Sequence, residues 1–203
     1  MDQNESEPDI IFKVVSLGES SVGKTSIINR YIKGPEIEID KFDPTIAASF
    51  QVKIIHRDDK VIEFDLWDTA GQEMYRSLTP MYYRNAQAAL LVFDITNRAS
   101  FESLTDWYEQ IQENSDNIFL MVLANKVDLE DQRKVQIQEI TNFCDSHKNL
   151  IFCEVSALTG YGLDKAFDIL LHNLLHQRQA LHYADQVNID SQNNGKTRGK
   201  PCC

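Results

Sequence analysis

Residues Gly18-Glu19-Ser20-Ser21-Val22-Gly23-Lys24-Thr25 place two spaced glycines, a lysine and a hydroxyl within one short run. That combination can hold a polyphosphate. The glycines let backbone N–H groups close around an anion, and a helix starting at the end of the run aims its positive dipole end at the same point. Gly18, Ser21, Val22, Gly23, Lys24, Thr25 and Ser26 are therefore candidate phosphate contacts. Lys24 would bridge the β- and γ-phosphates, and the Thr25 hydroxyl would ligate Mg2+.

Three further segments carry chemistry in the same order along the chain. Phe64-Asp65-Leu66-Trp67-Asp68 is followed by Thr69-Ala70-Gly71-Gln72, which sets Asp68 at a strand end just before a glycine and a glutamine. Leu123-Ala124 leads into Asn125-Lys126-Val127-Asp128, and Val155 into Ser156-Ala157-Leu158. Guanine presents two adjacent donors, N1–H and the 2-amino group, which one carboxylate can accept together; Asp128 is the candidate. Adenine has an acceptor at N1 and would leave that carboxylate desolvated and poorly paired, a mismatch that can discriminate by about 10^4-fold. Asn125 is placed to tie this segment to the phosphate loop, and the Ala157 N–H to meet guanine O6.

Elements of a definite kind must position these groups. Ile11–Leu17 reads as a buried strand before the loop, and Thr25–Lys33 as a helix after it. Phe50, Val52 and Ile54 alternate with Gln51 and Lys53, and Ile62, Phe64 and Leu66 with Glu63 and Asp65, which predicts a hairpin at a sheet edge. The unbroken apolar runs 88–93, 118–124 and 150–155 suit central parallel strands covered on both faces. Helices are predicted over 100–113, 136–146 and 163–176. The expected fold is α/β, a doubly wound sheet of six strands, mainly parallel, with helices on both faces. In such sheets ligands bind beyond the carboxyl ends of the strands, where every polar segment above falls.

Composition limits the alternatives. At 203 residues with 42% hydrophobic and 25% charged residues, the chain is expected to form one domain over 10–180. Residues 1–9 and 181–203 are expected to be an unstructured tail at each end. A net charge of −11 argues against sequence-independent nucleic-acid binding. No apolar run is long enough to span a bilayer, and the acidic start of the chain resembles no targeting peptide. His172 and His176 echo a zinc-helix spacing, but without the glutamate that motif requires they read as a solvated face. Cys144 and Cys153 read as small core residues.

These segments together identify the chain, over about residues 10–178, as similar to the Ras-superfamily small GTPases and within them to the Rab family. Ile46-Ala47-Ala48-Ser49-Phe50, Trp67–Glu73, Tyr82-Tyr83-Arg84-Asn85-Ala86 and Phe93-Asp94-Ile95-Thr96 carry the Rab resemblance. Gly18-Glu19-Ser20-Ser21 and Pro80-Met81-Tyr82-Tyr83-Arg84 look most like the early-endosomal subgroup. The resemblance implies Mg2+-dependent GTP hydrolysis with GDP as product. Thr25, Thr45 and Asp68 would serve the metal, Thr45 and Gly71 would sense the γ-phosphate, and Gln72 would orient the attacking water. It also implies an effector surface of Phe50, Trp67 and Tyr82, with ordinary core as the alternative for the first two. Cys202 and Cys203 would be geranylgeranylated, since two lipid chains give stable anchoring where one does not. Expected partners are an exchange factor, a GTPase-activating protein, a GDP-dissociation inhibitor, the prenylation machinery and GTP-selective effectors. The expected state is a cytoplasmic monomer cycling to the cytosolic face of vesicular membranes. A nucleotide-gated binding module with negligible hydrolysis remains open at this point. Leu158 stands where the family often has a lysine covering the base, so an apolar cover is expected there.

Overall fold

Strand β1 (Ile10–Leu17) runs up the centre of a six-stranded sheet of order β2-β3-β1-β4-β5-β6. The computed structural model of the chain describes residues 7–36, 49–69, 79–114, 117–148 and 150–194, and no side chains at 79–80 or 182–194. The other strands are β2 (Ser49–Arg57), β3 (Lys60–Asp68), β4 (Ala88–Asp94), β5 (Phe119–Asn125) and β6 (Ile151–Glu154). Only the β2–β3 pair is antiparallel, joined through Asp58 and Asp59, both at positive φ. The remaining pairs are parallel, so their carboxyl ends share one edge of the sheet. The fold is the expected doubly wound P-loop architecture.

Two cores sandwich the sheet. On one face α1 (Lys24–Lys33) and α6 (Leu163–Asn194) set Ile27, Ile28, Phe167 and Leu171 against Phe12, Val14, Phe64 and Leu66. Tyr31 of α1 stacks on Phe167 of α6 with ring centroids 3.6 Å apart. The other face is covered by α2 (Thr79–Tyr83), α3 (Arg98–Glu102), α4 (Leu104–Asn114) and α5 (Ile137–Ser146). There Tyr83, Leu104, Trp107, Ile111 and Ile140 meet Val15, Leu17, Leu91, Phe93 and Val122. Strand β4 is buried along its whole length, as its uninterrupted apolar sequence requires.

Two features depart from the pattern read in the sequence, and a third is one that the alternation left open. The helix expected over 100–113 is two helices with a break at Ser103, whose hydroxyl donates to the Ser100 carbonyl. The last helix does not stop near residue 176, and the stretch from Tyr183, expected to be unstructured, is helical through Asn194. Neither glycine nor proline interrupts the sequence between Gly162 and Gly195, so nothing in the backbone forces an earlier end. Strand β2 turns its apolar side outward: Phe50, Val52 and Ile54 are exposed by 49%, 39% and 42%. Its polar residues face the helices, where Gln51 donates to Asn29 (3.4 Å) and Lys53 to the Ile32 carbonyl (3.3 Å).

Candidate functional site

The turn after β1 wraps around an ammonium group. Lys24 is 95% buried and folds back so that Nζ donates to the carbonyls of Gly18 (2.9 Å) and Glu19 (2.7 Å). Burial pushes its pKa down to about 8, against the opposing pull of Asp68 and Glu19. The turn is this tight because two residues lack a side chain. A Cβ on Gly18 would sit 2.2 Å from the Val92 carbonyl oxygen, and one on Gly23 would sit 2.3 Å from the Asn125 amide nitrogen. Gly23 also precedes α1 with φ 99°, so the first N–H groups of the helix face into the turn.

Beside it lies an oxygen-rich corner. Thr25 Oγ1 donates to Asp68 Oδ2 at 2.6 Å, and Asp68 is fully buried at the end of β3. Ser16 Oγ reaches the other carboxylate oxygen at 3.4 Å, and Thr69 Oγ1 donates to the Ser16 carbonyl at 2.6 Å. Hydroxyl and carboxylate oxygens suit a hard cation such as Mg2+. Among the described residues there is no cluster of three or more His, Cys, Asp or Glu that could hold a metal.

The third corner is built by Asn125, 1% exposed at the end of β5. Its Nδ2 donates to the Val22 carbonyl at 2.8 Å, while its Oδ1 accepts from the Ala157 N–H at 3.1 Å. One side chain thus fastens the phosphate turn to the loop after β6. Ser156 Oγ donates to Asp128 Oδ1 and accepts from the Thr159 N–H, which fixes the carboxylate expected to read guanine. Lys126, in the left-handed region at φ 69°, pairs with Asp94 Oδ2 at 2.7 Å.

The Gly18–Thr25 turn, the Thr25–Asp68 corner and the loops after β5 and β6 therefore share the carboxyl edge of one sheet, on either side of β4, and a model of the Ras family matches residues 13–176. The chain belongs to the Ras family. It is also 44% identical over 170 residues, 80% of this chain and 76% of the relative, to the GTP-binding protein YPT53 of Saccharomyces cerevisiae. As a Ras-family small GTPase it is a GTP hydrolase.

In this GTPase the candidate residues Gly18, Ser21, Val22, Gly23, Lys24, Thr25, Ser26, Asp68, Asn125, Lys126, Asp128, Ser156, Ala157 and Leu158 all lie at the carboxyl edge of the sheet. Leu158 is half exposed. Thr45, Gly71, Gln72, Cys202 and Cys203 lie outside the described residues. The three aromatics meet in a row: Phe50 and Trp67 have centroids 5.3 Å apart, Trp67 and Tyr82 6.4 Å. Phe50 is exposed, whereas Trp67 and Tyr82 are half-buried against the second core, with Lys13 Nζ 4.7 Å from the Trp67 ring centroid. A cavity of about 610 Å³ lined by Phe12, Tyr83, Gln87, Asn117 and Leu174 sits at the opposite end of the sheet and contains none of the phosphate or guanine residues. Sequence reasoning missed Ser16, Thr69, Asp94 and Arg30. Asp94 follows an apolar strand just as Asp68 does, which was a usable signal; the others have none.

Proposed function

We propose that this GTPase is a Rab-type switch of the early-endosomal kind, anchored through prenylated Cys202 and Cys203 to the cytosolic face of vesicular membranes. The observation that carries the guanine switch is the Asn125 bridge, which makes base recognition and phosphate binding one hydrogen-bonded unit. Asp128, oriented by Ser156, accepts from the guanine N1–H and 2-amino group. Lys24 and the turn N–H groups take the β- and γ-phosphates, and the negative charge of those phosphates keeps Lys24 in its protonated form. Thr25, Asp68 and Thr45 would hold Mg2+, which neutralises charge developing on the phosphates.

Gln72 orients the attacking water, and Thr45 and Gly71 make contacts that end when the γ-phosphate leaves. The Phe50–Trp67–Tyr82 row is built from residues that neighbour these segments in the sequence and would be presented to effectors in the GTP state. An exchange factor, an activating protein that supplies missing positive charge, a GDP-dissociation inhibitor and the prenylation machinery would run the cycle. The 44% identity to YPT53 supports this reading. Two measurements test it: competition of GDP against ADP for the purified protein, and single-turnover phosphate release from GTP with and without an activating protein. Equal affinity for the two nucleotides would refute it.

A further inference from the structure

Arg30 points out of α1 toward the base loop and is buried, 8% exposed. Its Nε donates to the Ala157 carbonyl at 2.9 Å and its Nη2 to the Leu158 carbonyl at 2.6 Å. The remaining arm, Nη1, donates to the Gly34 carbonyl at 3.2 Å, just past the end of the same helix. The guanidinium plane is thereby held at both ends, with one edge gripping two successive carbonyls of the base loop. Gly160 closes over its stem: a Cβ there would come within 3.9 Å of Arg30 Cδ.

We infer that Arg30 is a positioning residue for guanine recognition, setting where the loop 156–158, whose Ala157 N–H is held by Asn125 Oδ1, lies relative to the 6-oxygen edge of the base. The loop is anchored from two sides. Asn125 holds the Ala157 N–H side from the phosphate turn, and Arg30 holds the carbonyl side from α1. Within itself the loop is closed by the Gly160 N–H to the Ser156 carbonyl (2.8 Å) and the Ser156 N–H to the Tyr161 carbonyl (2.9 Å). It can therefore move as a unit when one anchor is cut. A hydrogen bond to O6 tolerates only a few tenths of an ångström of such movement before it weakens. Lysine cannot replace arginine here, because a point ammonium cannot reach acceptors lying on opposite ends of a planar fork.

The inference rests on the guanine reading above, and its test separates the two. GDP and 2-aminopurine riboside diphosphate, which keeps the 2-amino group but lacks both the 6-oxygen and the N1–H and so reports binding without the 6-oxygen edge, are compared on full-length wild type and Arg30→Lys. Arg30→Lys should weaken GDP about tenfold or more and leave the 2-aminopurine nucleotide within about twofold, so the ratio between them collapses. A loss of general structure would lower both together. If Arg30→Lys does not fold, Arg30→Gln, which can still donate to one carbonyl, is read by the same ratio. A guanine-selective wild type whose variant loses both nucleotides equally, or neither, overturns the inference alone. A wild type indifferent to GDP and ADP overturns the guanine reading and the inference with it.

Discussion

Replacing Asn125 with alanine removes the two bonds that join the phosphate turn to the base loop. Each is worth about 1 kcal/mol net, but the groups left behind matter more. Asn125 is 1% exposed, so the Val22 carbonyl and the Ala157 N–H lose a partner where water has little access. An unsatisfied buried group costs about 1–3 kcal/mol, which for the two groups gives a total loss of about 2–6 kcal/mol. That is a large share of the about 5–15 kcal/mol typical of a domain. Urea unfolding at a fixed saturating GDP concentration, with fluorescent GDP dissociation measured alongside, reads both consequences. The midpoint should fall and dissociation should quicken. Asn125→Asp sharpens the argument, because it keeps an acceptor for Ala157 but opposes a carboxylate to the Val22 carbonyl. It should be at least as damaging as alanine. If Asn125→Ala shifts stability by less than about 0.5 kcal/mol and leaves dissociation unchanged, the bridge does not carry what is claimed; rescue by aspartate would refute the role of the Val22 bond.

Lys24 predicts a pH dependence. Its nucleotide-free pKa of about 8 is raised on phosphate binding, so GDP affinity should be flat below pH 7 and fall as pH rises through about 8, with proton uptake measurable by calorimetry in buffers of different ionisation enthalpy. Because the folded value lies below the 10.5 of the free side chain, the unfolded chain binds more protons between about 8 and 10.5, and the nucleotide-free protein should gain stability as pH rises through that window. Lys24→Arg, which stays charged, should flatten both profiles. Gln72→Leu should bind GTP near normally yet slow activator-stimulated single-turnover hydrolysis, since Gln72 acts in the transition state; an unchanged rate would mean the water is held by another group. Trp67→Ala should lower GTP-selective effector capture by about 2 kcal/mol or more while nucleotide binding persists, and capture equal to wild type would refute the aromatic-surface reading.

What could be read from the chain alone was whatever chemistry forces onto a fixed residue type. Gly18 and Gly23 must lack a Cβ, and the roles proposed for Lys24 and Asp128 call for a cation and a two-oxygen acceptor, so these positions announce themselves in a linear motif. Strands β1, β4 and β5 were equally plain, because burial on both faces leaves little choice but aliphatic residues. The orientation of β2 was not legible. Alternation shows that two faces differ, not which one a helix will cover, and the polar side of β2 is held by Asn29 and the Ile32 carbonyl of α1. Ser16 and Arg30 escaped for a related reason. Their partners are Asp68 and the loop at Ala157, brought close only by the sheet order, and one of those contacts is to backbone carbonyls, which leave no trace in residue type. The length of α6 was misjudged because a polar stretch was taken for a linker although it contains good helix formers such as Gln179, Ala180, Ala184 and Gln186.

The outward apolar column on β2 has a bearing on the chain's behaviour at high concentration. β2 is the last strand on its side of the sheet, with one row of main-chain N–H and C=O groups unpaired within it, and it carries Phe50, Val52 and Ile54 on its open face. An edge of that kind is a template for a second strand from any neighbouring molecule. The protein carries its own deterrents at the tip of the hairpin, where exposed Asp58, Asp59 and Lys60 put charge beside the end of that edge. Neutralising those three, at the end of the sheet away from the candidate site, should favour self-association through this edge, read as oligomer formation with rising concentration.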